Sequence, residues 1–156
     1  MSFSKDRIRV LLDTTYLLPV VGIEVEGVEK SLIILKNMYR SGKVEIYYTP
    51  FNILEIVGKL SRIEYDRDRV RLGLRAIRET FRVTHPTIAG YIRALELRRK
   101  GFRDLIDLLL YATAKTRRLI FLTRDCELVN FLKEVGEDTT VVMHEEDFVK
   151  KYSEYT

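Results

Sequence analysis

The feature that most constrains this chain is a repeated alternation between short apolar runs and longer stretches with helical spacing. Ile8–Leu12, Val44–Tyr48 and Leu119–Leu122 are runs of four or five residues dominated by aliphatic and aromatic side chains. Each is followed by residues that repeat apolar side chains every three or four positions. Strands spaced in this way cannot pair through tight hairpins, so they lie parallel and are joined by helical crossovers. The expected fold class is α/β with three layers, α/β/α. Its parallel sheet of four to five strands is flanked by helices in a Rossmann-like topology.

Local signals place the elements. Thr14 to about Gly22 reads as a short turn and helix. Val28, Leu32, Leu35 and Tyr39 are spaced by 4, 3 and 4, an amphipathic helix that Gly42 would close. Thr49 followed by Pro50 marks a helix start, cap then first helical position, and this helix is expected to reach about Arg62. Further helices are expected over 66–80, 87–100, 104–116 and 126–134, and short strands over 81–84 and 140–143. No repeat, low-complexity tract or Pro/Gly/Ser linker interrupts the pattern, so residues 1–156 are expected to form a single domain.

Composition narrows the class. The 46% apolar and 32% charged fractions exclude disordered and collagenous chains. The lone Cys126 cannot form an internal bridge, and with only His85 and His144 it cannot complete a zinc cage. Lys5, Arg7 and Arg9 precede the first apolar run, but Asp13 splits it and no small-residue cleavage site follows. No apolar stretch reaches the ~18 residues of a membrane span, so a cytoplasmic protein without a membrane partner is expected. Arg outnumbers Lys by 17 to 10 and Gln is absent, a bias that fits a thermophile. The net charge of +4 is uneven: residues 59–103 hold thirteen basic and five acidic side chains, and 104–156 hold seven and eleven. Such a cationic middle suits a polyanionic partner.

Several chemistries are missing. There is no GxGxxG after the first strand, no GxxxxGK[ST] and no GxSxG, which removes dinucleotide, P-loop and serine-hydrolase readings. What remains is a set of carboxylates. In open parallel sheets, ligands bind outside the carboxyl ends of the strands. Asp13 immediately follows the first strand and Asp125 lies three residues beyond Leu122, so both point into one crevice if their strands are neighbours. Each also precedes a helix and would serve as its cap. Glu55 sits about two turns into the helix after the second strand, on a polar stripe with Asn52, Lys59 and Arg62 that would otherwise be a solvated face. Asp107 is nearly surrounded by apolar residues, where a charge needs compensation. Asp104, at the same helix start, is explained by capping. Carboxylates converging without Cys or His suit Mg2+ or Mn2+ and disfavour Zn2+. Together with the cationic segment they suggest metal-assisted phosphodiester hydrolysis.

The order Val10-Leu11-Leu12-Asp13-Thr14-Thr15, then Glu55, then Asp107-Leu108-Leu109-Leu110-Tyr111-Ala112-Thr113-Ala114, then Leu122-Thr123-Arg124-Asp125 resembles the PIN domain over about residues 8–143. The resemblance implies a PIN-like sheet and a Mg2+- or Mn2+-dependent endoribonuclease acting on RNA. It implies Asp13, Glu55, Asp107 and Asp125 as the catalytic acids, with Asp13, Asp107 and Asp125 on the metal. Thr15 and Thr123 would be supporting hydroxyls, with Asp104 as a cap that also helps. Many small members resemble toxins of VapBC-type toxin–antitoxin pairs, so a homodimer and an antitoxin partner are expected. A non-catalytic RNA-binding or assembly module, an RNA-processing nuclease and a DNA-directed nuclease are the alternatives that keep the fold.

A second pattern lies in the middle segment. Arg67, Arg71, Arg75, Arg78 and Arg82 recur at 4, 4, 3 and 4, with Glu79 beside them. They read as a stripe opposite the apolar face of Val70, Leu74, Ile77 and Phe81. The stripe is expected to contact RNA phosphates or to dock an acidic partner.

Overall fold

The computed structural model describes residues 7–156; Lys5 of the basic N-terminus lies outside them. Five strands, β1 (Ile8–Leu12), β2 (Val44–Tyr48), β3 (Arg82–Val83), β4 (Ile120–Thr123) and β5 (Val142–His144), pair in parallel in the order β3-β2-β1-β4-β5. The helices are α1 (Glu29–Arg40), α2 (Pro50–Leu60), α3 (Arg67–Thr80), α4 (Ile88–Arg99), α5 (Leu105–Arg117), α6 (Cys126–Glu134) and α7 (Glu145–Lys151). Tight 3-10 turns cover Thr14–Tyr16, Leu18–Val21 and Ser153–Tyr155. The expected three-layer α/β/α class is therefore what forms. Among the described residues, no helix is long and apolar enough to cross a membrane.

β1 has a strand on each side and helices above and below, which is why its second half is apolar at every position. Side chains alternate across the sheet. Leu11 and Phe121, paired in register, face α4, α5 and α6, where Leu97, Leu108, Tyr111, Leu128 and Leu132 are buried. Val10, Leu12 and Leu122 face the opposite layer, with Ile34 and Met38 of α1, Ile77 of α3 and Phe148 of α7.

The chain winds outward from β1 to β2 to β3, then crosses back to place β4 on the other side of β1. That reversal opens a crevice between the carboxyl ends of β1 and β4.

Most boundaries fall within two residues of expectation. The main omission is α7, whose Glu145, Glu146 and Asp147 in the first turn and Lys150 and Lys151 in the last complement the helix dipole. The α1 face is also rotated: Ser31, Ile34, Leu35 and Met38 are buried, whereas Tyr39 is exposed. Asn52, expected on a solvated stripe, is fully buried. Two glycines permit close helix contacts. A Cβ on Gly73 would stand 2.3 Å from the Val20 carbonyl oxygen, so α3 lies directly on the turn after β1. A Cβ on Gly90 would meet Thr116 Oγ1 at 2.9 Å, at the α4–α5 contact.

A charged knot closes the α4–α5 layer. Glu137 is buried and accepts hydrogen bonds from Arg93 Nε at 2.9 Å, Lys115 Nζ at 2.6 Å and the Tyr111 hydroxyl at 3.1 Å. Burial alone would raise its pKa, but the Arg93 and Lys115 bonds outweigh burial and hold it at about 2. A carboxylate depressed in this way stabilises the fold above the ordinary Glu range, and loses that contribution as pH falls toward about 2. Glu137→Gln should cost roughly 1–2 kcal/mol at neutral pH, because Arg93 and Lys115, each about one third exposed, lose their carboxylate but keep part of their hydration. In chemical denaturation across pH, the gap to wild type should close as pH falls through the acid range.

Candidate active site

Local capping decides which acids are occupied by the backbone and which are not. Asp125 Oδ1 accepts the Glu127 amide at 2.9 Å and the Leu128 amide at 3.3 Å, capping α6. Asp104 Oδ1 accepts the Asp107 amide at 3.1 Å, capping α5 as expected. Asp13 stands at the start of a 3-10 turn, but its side chain makes no capping bond. Its Oδ2 instead accepts the Thr123 hydroxyl at 2.8 Å, while Thr123 Oγ1 accepts the Asp125 amide at 3.0 Å. One buried hydroxyl thus links the acid after β1 to the loop after β4.

The turn carrying Asp13 is braced from α2. Thr49 caps that helix in a capping box with Asn52. The Asn52 amide then donates to the Leu12 carbonyl at 3.2 Å and to Thr14 Oγ1 at 2.9 Å. Thr14, not Thr15, is the hydroxyl held in this network; Thr15 is half-buried beside it. Glu55, one turn beyond Asn52 and half-exposed, lies near enough to raise the Asp13 pKa by repulsion. On the other side, Arg124 pairs through Nε with Glu145 of α7 at 3.2 Å and donates to the Glu26 carbonyl at 2.8 Å. This clamp fixes the residue between Thr123 and Asp125. Sequence reading missed Thr14, Asn52 and the Arg124–Glu145 pair; the N3 position after a Thr-Pro helix start was the available sign of Asn52.

Asp107 faces the crevice from the first turn of α5 and is only 8% exposed. Asp104, Asp107, Asp125 and Glu127 line a cleft of about 250 Å³ with Phe102 and Arg103. Burial, then repulsion from Asp13, raises the Asp107 pKa to about 9, with Asp104 and Asp125 adding to the rise. Asp13 is raised to about 6, chiefly by burial and then, against the Thr123 bond, by Glu55 and Asp125. Among the described residues, no three His, Cys, Asp or Glu side chains close into a ready-made metal cage. The donor set nonetheless fits a hard divalent cation: oxygen donors only, mutually repelling, with room for the waters that Mg2+ retains. Asp13, Asp107 and Asp125 are the side chains able to hold it.

Cys126 is not arranged as a nucleophile. His144 Nδ1 accepts the Glu146 amide at 3.2 Å, so its other nitrogen carries the proton toward Cys126 Sγ, 3.4 Å away. A ring in that tautomer cannot draw a proton from the thiol.

Two readings of the arginine stripe change. Arg82 lies in β3, within the strand expected over 81–84 and so off the helical stripe, and pairs with Glu45 at 3.7 Å. The other four do not oppose the apolar face. Arg67, Arg71, Arg75 and Arg78 line one groove with Val70 and Leu74, because successive residues on a helix lie about 100° apart, not 180°.

The arrangement defines a doubly wound α/β protein with an acidic crevice at the reversal of its strand order. Residues 10–134 match the PIN domain family, and the chain belongs to it. VapBC2 from Rickettsia felis, solved bound to a DNA fragment from its promoter, superposes with a TM-score of 0.61 at 13% identity, over 88% of this chain and 98% of that one. A toxin–antitoxin complex from Klebsiella pneumoniae gives 0.56 at 16%, covering 86% and 95%. PAE2754 from Pyrobaculum aerophilum gives 0.58 at 16%, covering 94% and 90%. At these identities the likeness is one of fold. No curated protein matches this sequence.

The buried acids make a stability prediction. The native state resists ionising Asp107 until about pH 9, whereas the unfolded chain ionises it near pH 4. Its penalty therefore grows as pH rises between those values. In chelator, Asp107→Asn should melt at a higher temperature than wild type, by a margin that widens from acid toward alkaline pH. Melting curves at several pH values test this, and a negative or constant margin would contradict it.

Proposed function

We propose that the protein is an endoribonuclease that hydrolyses RNA phosphodiester bonds with Mg2+ or Mn2+. PIN domains are generally nucleases. The observation that carries the reading here is the buried Asp13–Thr123 bond, which sets an uncapped carboxylate beside Asp107 and Asp125. Asp13, Asp107 and Asp125 hold the cation, and Glu55 completes the catalytic acids. When bound, the cation supplies Lewis acidity and neutralises charge that builds on the phosphate.

The chain's own groups divide the remaining work. Thr123 orients Asp13 by donating to Oδ2, and Asp125 is held in place by its cap on α6. Asn52 and Thr14 keep the turn beneath Asp13 from shifting. Glu55, half-exposed at the crevice edge, accepts a proton from the water whose oxygen bonds to phosphorus, while the bond from phosphorus to the leaving ribose oxygen breaks and that oxygen takes a proton from solvent water. In this reading, residues 1–156 act as a single PIN domain in the cytoplasm, as a homodimer. The toxin–antitoxin complexes among the structural neighbours support an antitoxin partner, which would make this chain the toxin.

Cleavage of labelled single-stranded RNA and DNA with Mn2+ tests the proposal. Asp13→Asn and Asp107→Asn should each lower RNA cleavage by at least about 100-fold, the scale on which loss of transition-state charge stabilisation acts. Asp104→Asn keeps the α5 cap and should retain most activity. Preferential cleavage of DNA, or full activity in Asp107→Asn, would overturn the assignment.

A further inference from the structure

We propose that the groove between α2 and α3 binds a single-stranded nucleic acid, with Arg67, Arg71, Arg75 and Arg78 on its phosphates and the Tyr65 ring against a base. The groove is about 570 Å³ and is lined, besides the four arginines, by Tyr48, Ile53, Tyr65, Val70 and Leu74. All four arginines are exposed, and among the described residues none of them forms an ion pair. The acids of the same segment do not pair with them: Asp66 caps α3 through the Asp68 and Arg69 amides, and Glu64, Asp68 and Glu79, although near in sequence, form no ion pair with any of the four. Arg67, Arg71 and Arg75 advance about 6 Å along the helix axis at each step, a regular row of forked donors suited to successive phosphates. Tyr65 exposes 57% of its surface at the rim, and a cationic track beside an exposed ring is how single strands are held without sequence preference.

The position of the groove favours a nucleic acid over an acidic peptide. Leu11 of β1 is in register with Tyr47 of β2, so Tyr48 in the groove is level with Leu12, one residue before Asp13. Both features therefore open at the same edge of the sheet, on neighbouring strands. They flank α2, with Ile53 on the arginine side and Glu55 on the acidic side, two residues or about 200° apart. A strand whose phosphodiester lies in the acidic crevice continues over α2 into the arginine row. The inference rests on the ribonuclease reading only for the identity of that strand.

Binding is measured by fluorescence anisotropy of a short labelled oligouridylate in chelator, where cleavage plays no part. Arg71→Ala combined with Arg75→Ala should reduce the slope of log affinity against log salt by about 1.4, from about 0.7 per lost contact on a single strand. Tyr65→Ala should weaken binding at least about fivefold, and Tyr65→Phe should restore it. An unchanged salt slope in a double variant that melts like wild type would overturn the proposal. So would a double variant that loses a glutamate-rich peptide but still holds the oligonucleotide, because the groove would then be a protein dock. If the slope falls but no RNA is ever cleaved, the groove stands and the nuclease reading fails; cleavage with an unchanged slope means the reverse.

Discussion

The rest of the structure depends on β4 lying against β1. The Leu11–Phe121 and Leu12–Leu122 register continues one step further, where the Asp13 amide donates to the Leu122 carbonyl at 3.1 Å. That last ladder bond brings Thr123 beside Asp13 and lets its hydroxyl bridge two loops more than one hundred residues apart in sequence. A slip of one residue would turn Leu122 and Thr123 to opposite faces and break both the packing and the bridge. Fold and site therefore share a single constraint.

Two buried acids in this protein show how surroundings assign roles. Glu137 is enclosed with Arg93 and Lys115, so burial is compensated and its proton affinity falls. Asp107 is enclosed with other carboxylates, so burial and repulsion act together and its proton affinity rises. The first arrangement ties α4 and α5 to the loop before β5. The second stores unfavourable energy at one place, and strongly perturbed acids tend to cluster at functional sites.

The uneven charge seen in the sequence becomes a spatial division around α2. On one side the helix helps to hold the acidic crevice through Asn52 and Glu55, and on the other Ile53 faces the arginines of α3. α3 can take that position because Gly73 lets it rest on the Val20 backbone. At the far edge, α7 performs the matching task, since Glu145 accepts both Ser31 and Arg124 and so holds the Thr123–Asp125 loop against α1.

The sequence by itself determined the α/β class, the parallel sheet and nearly every element, because strand and helix periods and the Thr49-Pro50 start are local signals. It also marked Asp13 and Asp125 as acids past strand ends, Asp107 as an acid inside an apolar run, and Glu55 as an acid on the polar stripe of the helix after the second strand. Tertiary structure alone decided which of them cap helices and which face other carboxylates, since a capping bond depends on where the side chain turns. It alone revealed the buried roles of Asn52, Thr14 and Glu137, whose partners are brought together by packing between distant segments. The arginine stripe differs: the 100° step alone sets it beside the apolar face, and tertiary structure decided only that both line a groove against α2. Local spacing is written along the chain, whereas the surroundings of a charge are set by the elements that close around it.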